Sequence, residues 1–300
     1  MDMKKTVFAL AAALVALASC AGPKDAALPK KDIGVQLYSI RDQIGNPELY
    51  AQNHEEVLKG LAEMGYSGCE AACYGDGTLY GVSPEQYKSD LEAAGLKSLS
   101  THIMKGLSEE ELQSGDFTPS MEWWDKAIDA HKRAGCKYIV CPGFGIPGTL
   151  AGLKVYCDYF NAIGKKCLEN GILFGYHNHS HEFNKLEDKV IYDFMIENTD
   201  PQYVFFEMDV YWAVMGKAYP VEYFRKYPGR FKLLHIKDHR ELGESGMVGF
   251  DAIFNNLETA GVEAIIVELE AFTNGDWKES MKMCADYLRK SDFVPASYGK

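Results

Sequence analysis

From residue 32 onward, short runs of apolar residues alternate with longer stretches in which apolar positions recur every three or four residues. The short runs are rich in β-branched and aromatic residues, which is typical of strands buried on both faces. The longer stretches have the spacing of amphipathic helices. This pattern predicts eight strands, at 33–38, 68–72, 96–102, 137–141, 173–177, 204–209, 232–236 and 264–269.

Helices are predicted between these strands, and a glycine follows several of them. The clearest helices cover 54–64, 84–94, 120–134, 153–170 and 250–260, and the glycines that follow them are Gly65, Gly95, Gly135, Gly171 and Gly261. Glycine readily adopts the left-handed conformation that ends a helix, so these positions mark helix-to-strand turns. Eight strand–helix units in a chain of this length predict an α/β fold, a single (β/α)8 TIM barrel. A doubly wound open sheet is the alternative, but no Gly-rich phosphate-binding motif follows the first strand.

The first 31 residues do not fit the repeating pattern. Lys4 and Lys5 precede an apolar run over 6–17, which has the length of a signal-peptide core and is too short to cross a bilayer comfortably. The run is followed closely by Cys20, in the sequence LASC, which resembles the processing site of bacterial lipoproteins. The alternative is an ordinary buried cysteine after a core helix. We expect an exported, lipid-anchored protein at the periplasmic face or the cell surface, with a signal peptide at 1–19, a tether from lipidated Cys20 over 20–31 and a barrel over 32–300.

Composition narrows the class of partner. The chain carries 43 acidic and 31 basic residues, which gives a formal net charge of −12, and aromatic residues make up 12% of it. Binding to a nucleic-acid backbone depends on dense positive charge, so this balance argues against a nucleic-acid partner. A small-molecule partner is expected, and the lipid on Cys20 would be the contact with a membrane.

Polar residues close five of the predicted strands, and TIM barrels carry their active sites at those strand ends. A single polar terminus is more often a hydrogen-bonded structural group than a ligand. Here, however, carboxylate, imidazole and carboxylate groups end three successive strands, at Asp209, His235 and Glu268. Such a mixed donor set suits Mn, Mg, Co or Zn. The sequence therefore predicts one divalent metal, with a purely structural polar network as the alternative.

Three segments of the chain resemble a known family. They are YHNH followed by EF within 176–183, EMDVYW at 207–212 and HIKD at 235–238. They resemble the xylose isomerase-like TIM barrels, sugar (phosphate) isomerases and epimerases that also include inosose dehydratase and endonuclease IV relatives. The resemblance covers nearly all of the predicted barrel.

The resemblance implies a ligand set for the metal. In the family, a Glu, an Asp, a His and a second Glu on strands five to eight hold one divalent ion. Asp209 and His235 match the family Asp and His, and Glu268 matches the last Glu. Glu270 points to the same side of its strand as Glu268 and is an alternative to it.

One position departs from the family pattern. Where many epimerases have their first Glu ligand, this chain has His177, and either His177 or the nearby Glu182 is expected to fill that position. The epimerases use two glutamates as opposed acid/base groups on a sugar carbon. The change therefore argues against symmetrical epimerisation and leaves room for one-base isomerisation or elimination.

The expected chemistry is removal of a proton next to a carbonyl, with the metal polarising the carbonyl oxygen. Glu268 or His177 is the expected base, and His179 is a second candidate. For Lys237, a contact with a substrate oxygen and a salt bridge to a rim carboxylate are both compatible with the sequence. The residues expected to contact the substrate are Gln36, Tyr38, Glu70, His102, Lys237 and Trp212.

These features together predict a metal-dependent carbohydrate isomerase, epimerase or lyase. Phosphorylated sugars are mainly cytoplasmic, so export favours a free sugar, a keto-sugar or a 3-keto-glycoside as substrate. Some members of the family act on 3-keto-glycosides, and the resemblance then implies a 1,2-elimination. The alternative function is a non-catalytic sugar-binding lipoprotein on the same fold. An abasic-site endonuclease is disfavoured, because it needs a multi-zinc cluster and a basic surface.

Overall fold

Eight parallel strands form a closed barrel, as the sequence predicts. The structure, a computed structural model, describes residues 28–299. The barrel strands are β1 (Gly34–Gln36), β2 (Gly68–Ala71), β3 (Lys97–Thr101), β4 (Tyr138–Cys141), β5 (Leu173–His177), β6 (Val204–Asp209), β7 (Leu233–Ile236) and β8 (Ala264–Val267). Hydrogen-bonded neighbours run in the order β3-β2-β1-β8-β7-β6-β5-β4. The backbone N–H of Ile103 donates to the Val140 carbonyl at 3.0 Å, which joins β3 to β4 and completes the circle.

Helices follow the strands and surround the barrel. The main helices are Pro47–Met64, Pro84–Ala94, Thr118–Arg133, Leu150–Glu169, Ile191–Asn198, Pro220–Lys226, Phe250–Phe254, Leu257–Ala260 and Trp277–Lys290. Shorter helical turns lie in the loops, at Leu37–Ile40, Arg41–Ile44, Glu109–Ser114, His181–Phe183 and Val210–Met215. The five glycines predicted to end helices all have positive φ, between 79° and 109°. The predicted helix-to-strand turns are therefore confirmed.

Side-chain hydrogen bonds explain where the observed ends differ from the predicted ones. The helix predicted at 54–64 begins at Pro47, because Asn46 Oδ1 accepts from the backbone N–H of Leu49 at 3.0 Å and caps it. The first strand stops at Gln36 instead of continuing to 38. The side-chain Oε1 of Gln36 accepts from the backbone N–H of Tyr38 at 3.0 Å, and a tight helical turn begins at Leu37.

The interior of the barrel is apolar at the bottom, toward the amino ends of the strands, and polar at the top, toward their carboxyl ends. The apolar part contains Tyr138, Val140, Phe205, Leu233 and Ile266, all of them buried. Since side chains alternate along a strand, the next inward positions after Phe205 are Glu207 and Asp209, and the next after Leu233 is His235. The upper half of the barrel is therefore filled with buried charged and polar groups.

The described part of the chain begins just outside the barrel. Residues 28–31 have no regular secondary structure, and the Arg289 guanidinium donates to the carbonyls of Leu28 at 2.8 Å and Pro29 at 3.1 Å. The predicted signal peptide at 1–19 and the predicted lipidation of Cys20 lie outside the described residues. Within 28–299, no helix has both the length and the apolar character needed to cross a membrane.

Candidate metal centre

Four side chains from neighbouring strands converge at the carboxyl end of the barrel. His177 ends β5, Asp209 ends β6, His235 lies near the end of β7, and Glu268 follows β8. One donor atom from each lies within 4.8 Å of the other three, and all four residues are buried. We refer to His177, Asp209, His235 and Glu268 as the ligand group. Two carboxylates and two imidazoles at this spacing form a donor set suited to a divalent metal.

Asp209 provides a direct test of whether these residues fit a metal. Its Oδ1 accepts from the Trp212 N–H at 2.8 Å, whereas its Oδ2 is buried and has no hydrogen-bond partner in the part of the chain that the structure describes. Asn178 holds the Asp209 backbone on both sides, since its Oδ1 accepts from the Asp209 N–H at 3.2 Å and its Nδ2 donates to the Asp209 carbonyl at 3.3 Å. Burial raises the pKa of Asp209 to about 7. A buried carboxylate oxygen without a partner costs free energy that a bound cation would recover, so the residues fit the metal.

The structure separates the two candidates for the first ligand. His177 belongs to the ligand group, and burial holds its pKa well below the usual value, so its imidazole is neutral. Glu182 is buried in a different network: the Tyr176 hydroxyl donates to its Oε1 at 2.6 Å and the His179 N–H donates to its Oε2 at 2.9 Å. Because both Glu182 oxygens already accept from protein donors outside the ligand group, the geometry favours His177 at this position.

Glu268 and Glu270 are also placed differently. Glu268 Oε2 lies 3.4 Å from His235 Nδ1 and 3.0 Å from Lys237 Nζ. Glu270 is outside the ligand group, with 40% of its side chain exposed and its Oε1 at 3.0 Å from Lys237 Nζ. Burial by itself would raise the pKa of Glu268, but the hydrogen bond with His235 and the charge of Lys237 hold it well below the usual range. Of the two glutamates, Glu268 is thus the one in the ligand group, and it is ionised.

A second set of buried polar groups lies beside the ligand group. Glu70 and Glu207 are completely buried, and His102 Nε2 lies 3.0 Å from Glu70 Oε1 and 2.8 Å from Glu207 Oε2. Glu207 Oε2 is also 3.2 Å from His177 Nδ1. Burial and the charge of Glu70 raise the pKa of Glu207, while the imidazoles of His102 and His235 outweigh burial and lower that of Glu70. The pair therefore carries its negative charge mainly on Glu70.

Gln36 and Glu70, two of the predicted substrate contacts, are engaged with other protein groups. Gln36 Nε2 donates to Glu70 Oε1 at 2.7 Å, and the Ser100 hydroxyl donates to Glu70 Oε2 at 2.6 Å. Sequence reasoning missed Ser100 and Asn178. Glu207 is a further buried carboxylate here, and its Oε1 has no hydrogen-bond partner within residues 28–299. The alternation that puts Glu207 on the same face as Asp209 was the available signal.

The remaining predicted residues surround the open end of the site. His179 is partly buried, with its ring 5.0 Å from that of His177 and 5.8 Å from that of Trp212, and burial lowers its pKa to about 4. Lys237 Nζ lies 5.2 Å from the Trp212 ring centroid. Tyr38 is 46% exposed. The opening thus combines a neutral imidazole, an ammonium group and an indole, which can receive a proton, donate to an oxygen and pack against a sugar ring.

Comparison with known proteins agrees with this architecture. The chain matches the xylose isomerase-like TIM barrel family over residues 58–290. It is similar to a crystal structure of a sugar phosphate isomerase/epimerase from Parabacteroides distasonis ATCC 8503, at 38% identity and TM-score 0.79 over 88% of this chain and 100% of that one. A second structure described in the same way and from the same organism gives 36% identity and TM-score 0.78, over 90% and 97%.

More distant relatives extend the comparison. Inosose dehydratase 2 of Bacillus cereus is 25% identical over 256 residues, which are 77% of this chain and 82% of that protein. A D-psicose 3-epimerase from Clostridium cellulolyticum H10, at 14% identity and TM-score 0.66 over 88% and 99% of the two chains, shares the fold. With an extensive sequence match and a shared barrel, this chain belongs to the xylose isomerase-like TIM barrel family.

Proposed function

We propose that the protein is a divalent-metal-dependent carbohydrate lyase that shares its fold with sugar isomerases and epimerases. It removes the proton next to the carbonyl of a keto-sugar or 3-keto-glycoside and eliminates the substituent on the neighbouring carbon. The observation that carries the proposal is the ligand group, whose member Asp209 has a buried oxygen with no hydrogen-bond partner within residues 28–299. The similarity to inosose dehydratases, whose name denotes loss of water, supports elimination over epimerisation.

The residues that would hold the metal are His177, Asp209, His235 and Glu268. When bound, a divalent cation would polarise the carbonyl and stabilise the negative charge that develops on its oxygen. Lys237, held between Glu268 and Glu270, is placed to donate a hydrogen bond to a substrate oxygen. Trp212 beside it offers an apolar face for a sugar ring.

The proposed elimination moves two protons and two electron pairs. Glu268 takes the proton from C2, next to the C3 carbonyl. The C2–H electron pair forms the C1=C2 double bond, and the C1–O bond breaks. The leaving oxygen takes its proton from the Lys237 ammonium. After the step, Glu268 releases the C2 proton to solvent and Lys237 recovers one from solvent. With histidine at position 177 and glutamate at position 268, the two candidate proton-transfer groups differ in chemistry. This difference suits a one-directional elimination better than an epimerisation, which uses two equivalent bases.

Incubation in D2O tests the reaction. Metal-loaded protein is given free sugars, 3-keto-sugars and 3-keto-glycosides, and the products are followed by NMR and mass spectrometry. We expect cleavage of the 3-keto-glycoside to an unsaturated product that has lost its C2 hydrogen, with deuterium at C2 only in substrate that has not yet lost its leaving group. Loss of a general base typically slows turnover by about 10²–10⁴-fold, so Glu268→Gln should do so and Glu270→Gln should have a much smaller effect. Binding without turnover or exchange across the panel would instead identify a sugar-binding protein.

We also propose that the protein is exported and anchored through Cys20. The basic residues, apolar run and LASC sequence at the start of the chain support this location, and it is consistent with a substrate that lacks phosphate. Expression in a bacterium with radiolabelled palmitate tests it. The chain should take up label and enter the detergent phase, and the Cys20→Ser variant should do neither. An unlabelled wild-type chain would refute the anchor while leaving the enzymatic proposal intact.

A further inference from the structure

We infer that Glu70 is a positioning residue that fixes the tautomer of His235 and keeps its Nδ1 available to the metal. The inference rests on the proposed metal site. Glu70 lies on β2 and His235 on β7, so their contact braces two strands that are separated in the barrel by β1 and β8. His235 Nε2 lies 2.7 Å from Glu70 Oε1, the shortest of the contacts that the structure gives this ring.

The direction of hydrogen bonding at Glu70 is set by its neighbours. The backbone N–H of Tyr38 donates to Gln36 Oε1 at 3.0 Å, which fixes the orientation of the Gln36 amide. The amide nitrogen therefore faces Glu70 and donates to Oε1. The Ser100 hydroxyl donates to the other oxygen. Glu70 is thus surrounded by donors, and it serves as an acceptor.

This arrangement determines which nitrogen of His235 carries the proton. Imidazole is a stronger base than a carboxylate, so the proton shared between His235 Nε2 and Glu70 Oε1 belongs to the nitrogen. With the Nε2 proton held by Glu70, Nδ1 is the nitrogen whose proton a bound metal would displace. That nitrogen is the one turned toward Glu268, at 3.4 Å. A metal-bound histidine generally donates its other N–H to a carboxylate, which orients the ring and strengthens the ligand.

Distances assign different roles to the two sides of the ring. Glu70 and His235 Nε2, at 2.7 Å, already have hydrogen-bond geometry, and the orientation of Gln36 supplies a further donor on the same oxygen. The Nδ1 side faces Glu268, another member of the ligand group, at the longer distance of 3.4 Å. Glu70 therefore acts on the metal through His235 and is not itself a ligand.

The variant Glu70→Gln tests this role with little change of shape. An amide at this position keeps an acceptor oxygen toward Gln36 and His235, and its nitrogen can donate to Ser100, but the charge is lost. Removal of such a supporting carboxylate typically weakens metal binding about 10–100-fold. We expect that loss when Mn²⁺ or Co²⁺ is titrated into metal-free protein, together with a change in the visible absorption spectrum of the Co²⁺ form.

Glu241→Gln is the matched control. Glu241 is a buried carboxylate that accepts from the Ser280 hydroxyl and the Thr273 backbone, and neither partner belongs to the ligand group. We expect this variant to lose thermal stability but to keep the metal affinity and the Co²⁺ spectrum of the wild type. Equal loss of affinity in both variants would mean that general destabilisation, and not Glu70, is responsible, which would overturn the inference.

The remaining outcomes are also decisive. If the wild type binds metal and Glu70→Gln binds it with the same affinity and spectrum, the inference is wrong and the proposed metal site stands. If the wild type binds no divalent metal, both are wrong. Should Glu70→Gln not fold, Ser100→Ala removes one donor to Glu70 without touching His235. That variant should weaken metal binding more than Glu241→Gln does, and unchanged affinity would overturn the inference.

Discussion

Gly175 on β5 offers a quantitative test of how the barrel interior is packed. The ring of Phe205, on the neighbouring strand β6, lies directly over it. A Cβ atom at position 175 would lie 2.5 Å from Phe205 Cε2 and 2.6 Å from Cζ, where ordinary contacts begin at 3.4 Å. The ring cannot easily retreat, since Phe205 is only 3% exposed and packs in the apolar floor of the barrel with Tyr138 and Leu233. Gly175→Ala therefore forces the two strands or the ring to move.

The size of the effect follows from this overlap of nearly 1 Å. Excess volume in a well-packed core typically costs about 1–3 kcal/mol. For a domain of this size, each kcal/mol lowers Tm by about 2–4 °C, so a decrease of about 2–12 °C is expected. Thermal unfolding followed by circular dichroism measures it. Gly148→Ala is the control, because no described atom beyond its two chain neighbours lies within 4 Å of its added Cβ, and it should change stability by less than about 0.5 kcal/mol.

A double-mutant cycle identifies the cause. Phe205→Leu shortens the obstructing ring, so it should cost less in the Gly175→Ala background than in the wild type. Residues in direct contact typically show coupling of about 0.5–3 kcal/mol. Additive effects of the two changes, or a Gly175→Ala protein that melts within about 1 °C of the wild type, would refute the proposed packing of β5 against β6.

Three further predictions concern other parts of the molecule. Tyr159→Phe should lower the free energy of unfolding by about 1–3 kcal/mol in urea titrations. The reason is that the buried Trp124 Nε1 donates to the Tyr159 hydroxyl at 2.7 Å and would lose this acceptor. An unchanged urea midpoint would contradict this prediction. Burial alone would raise the pKa of Glu263, but hydrogen bonds from Lys137 and Lys232 lower it to about 2, below its ordinary 4.5. The stabilisation is therefore complete above about pH 4.5 and is lost as the pH falls toward 2, so Glu263→Gln should destabilise the protein at about pH 7 and much less at about pH 2.5. A pH-independent difference would be inconsistent with that mechanism. Finally, divalent metal at a concentration of about a hundred times its Kd should stabilise the protein by about 2.7 kcal/mol relative to chelator-treated protein. Scanning calorimetry measures this difference, and superimposable scans would argue against a metal site.

The chain sequence predicted the fold with few errors, because strands buried on both faces and helices ended by glycine leave a strong local pattern. The largest error in an element was the start of the first long helix, at Pro47 instead of 54. The first turn depends on capping by Asn46 and on the proline, and residues 47–53 lack a clear apolar period. Local hydrogen bonds of single side chains therefore determined the element ends that the pattern misplaced.

The candidate site could be predicted only in part. Asp209, His235 and Glu268 were identifiable because each stands at a strand end, and parallel strands bring their ends together at one rim. The choice between His177 and Glu182 depended on whether the Glu182 carboxylate turns toward the ligand group or accepts from the Tyr176 hydroxyl, as it does here. These two residues are only five positions apart in the chain, and sequence distance does not show which way a loop turns.

What the sequence by itself determined was thus the barrel, the order of its strands and the identity of three donors at one end. The tertiary structure alone placed His177 in the ligand group, separated Glu268 from Glu270, and turned Gln36 and Glu70 from expected substrate contacts into partners of each other. The physical reason is that strand periodicity records only whether a side chain points inward. Which inward groups share a hydrogen bond depends on the closure of the barrel, which brings Glu70 to His235 across 165 positions of the chain.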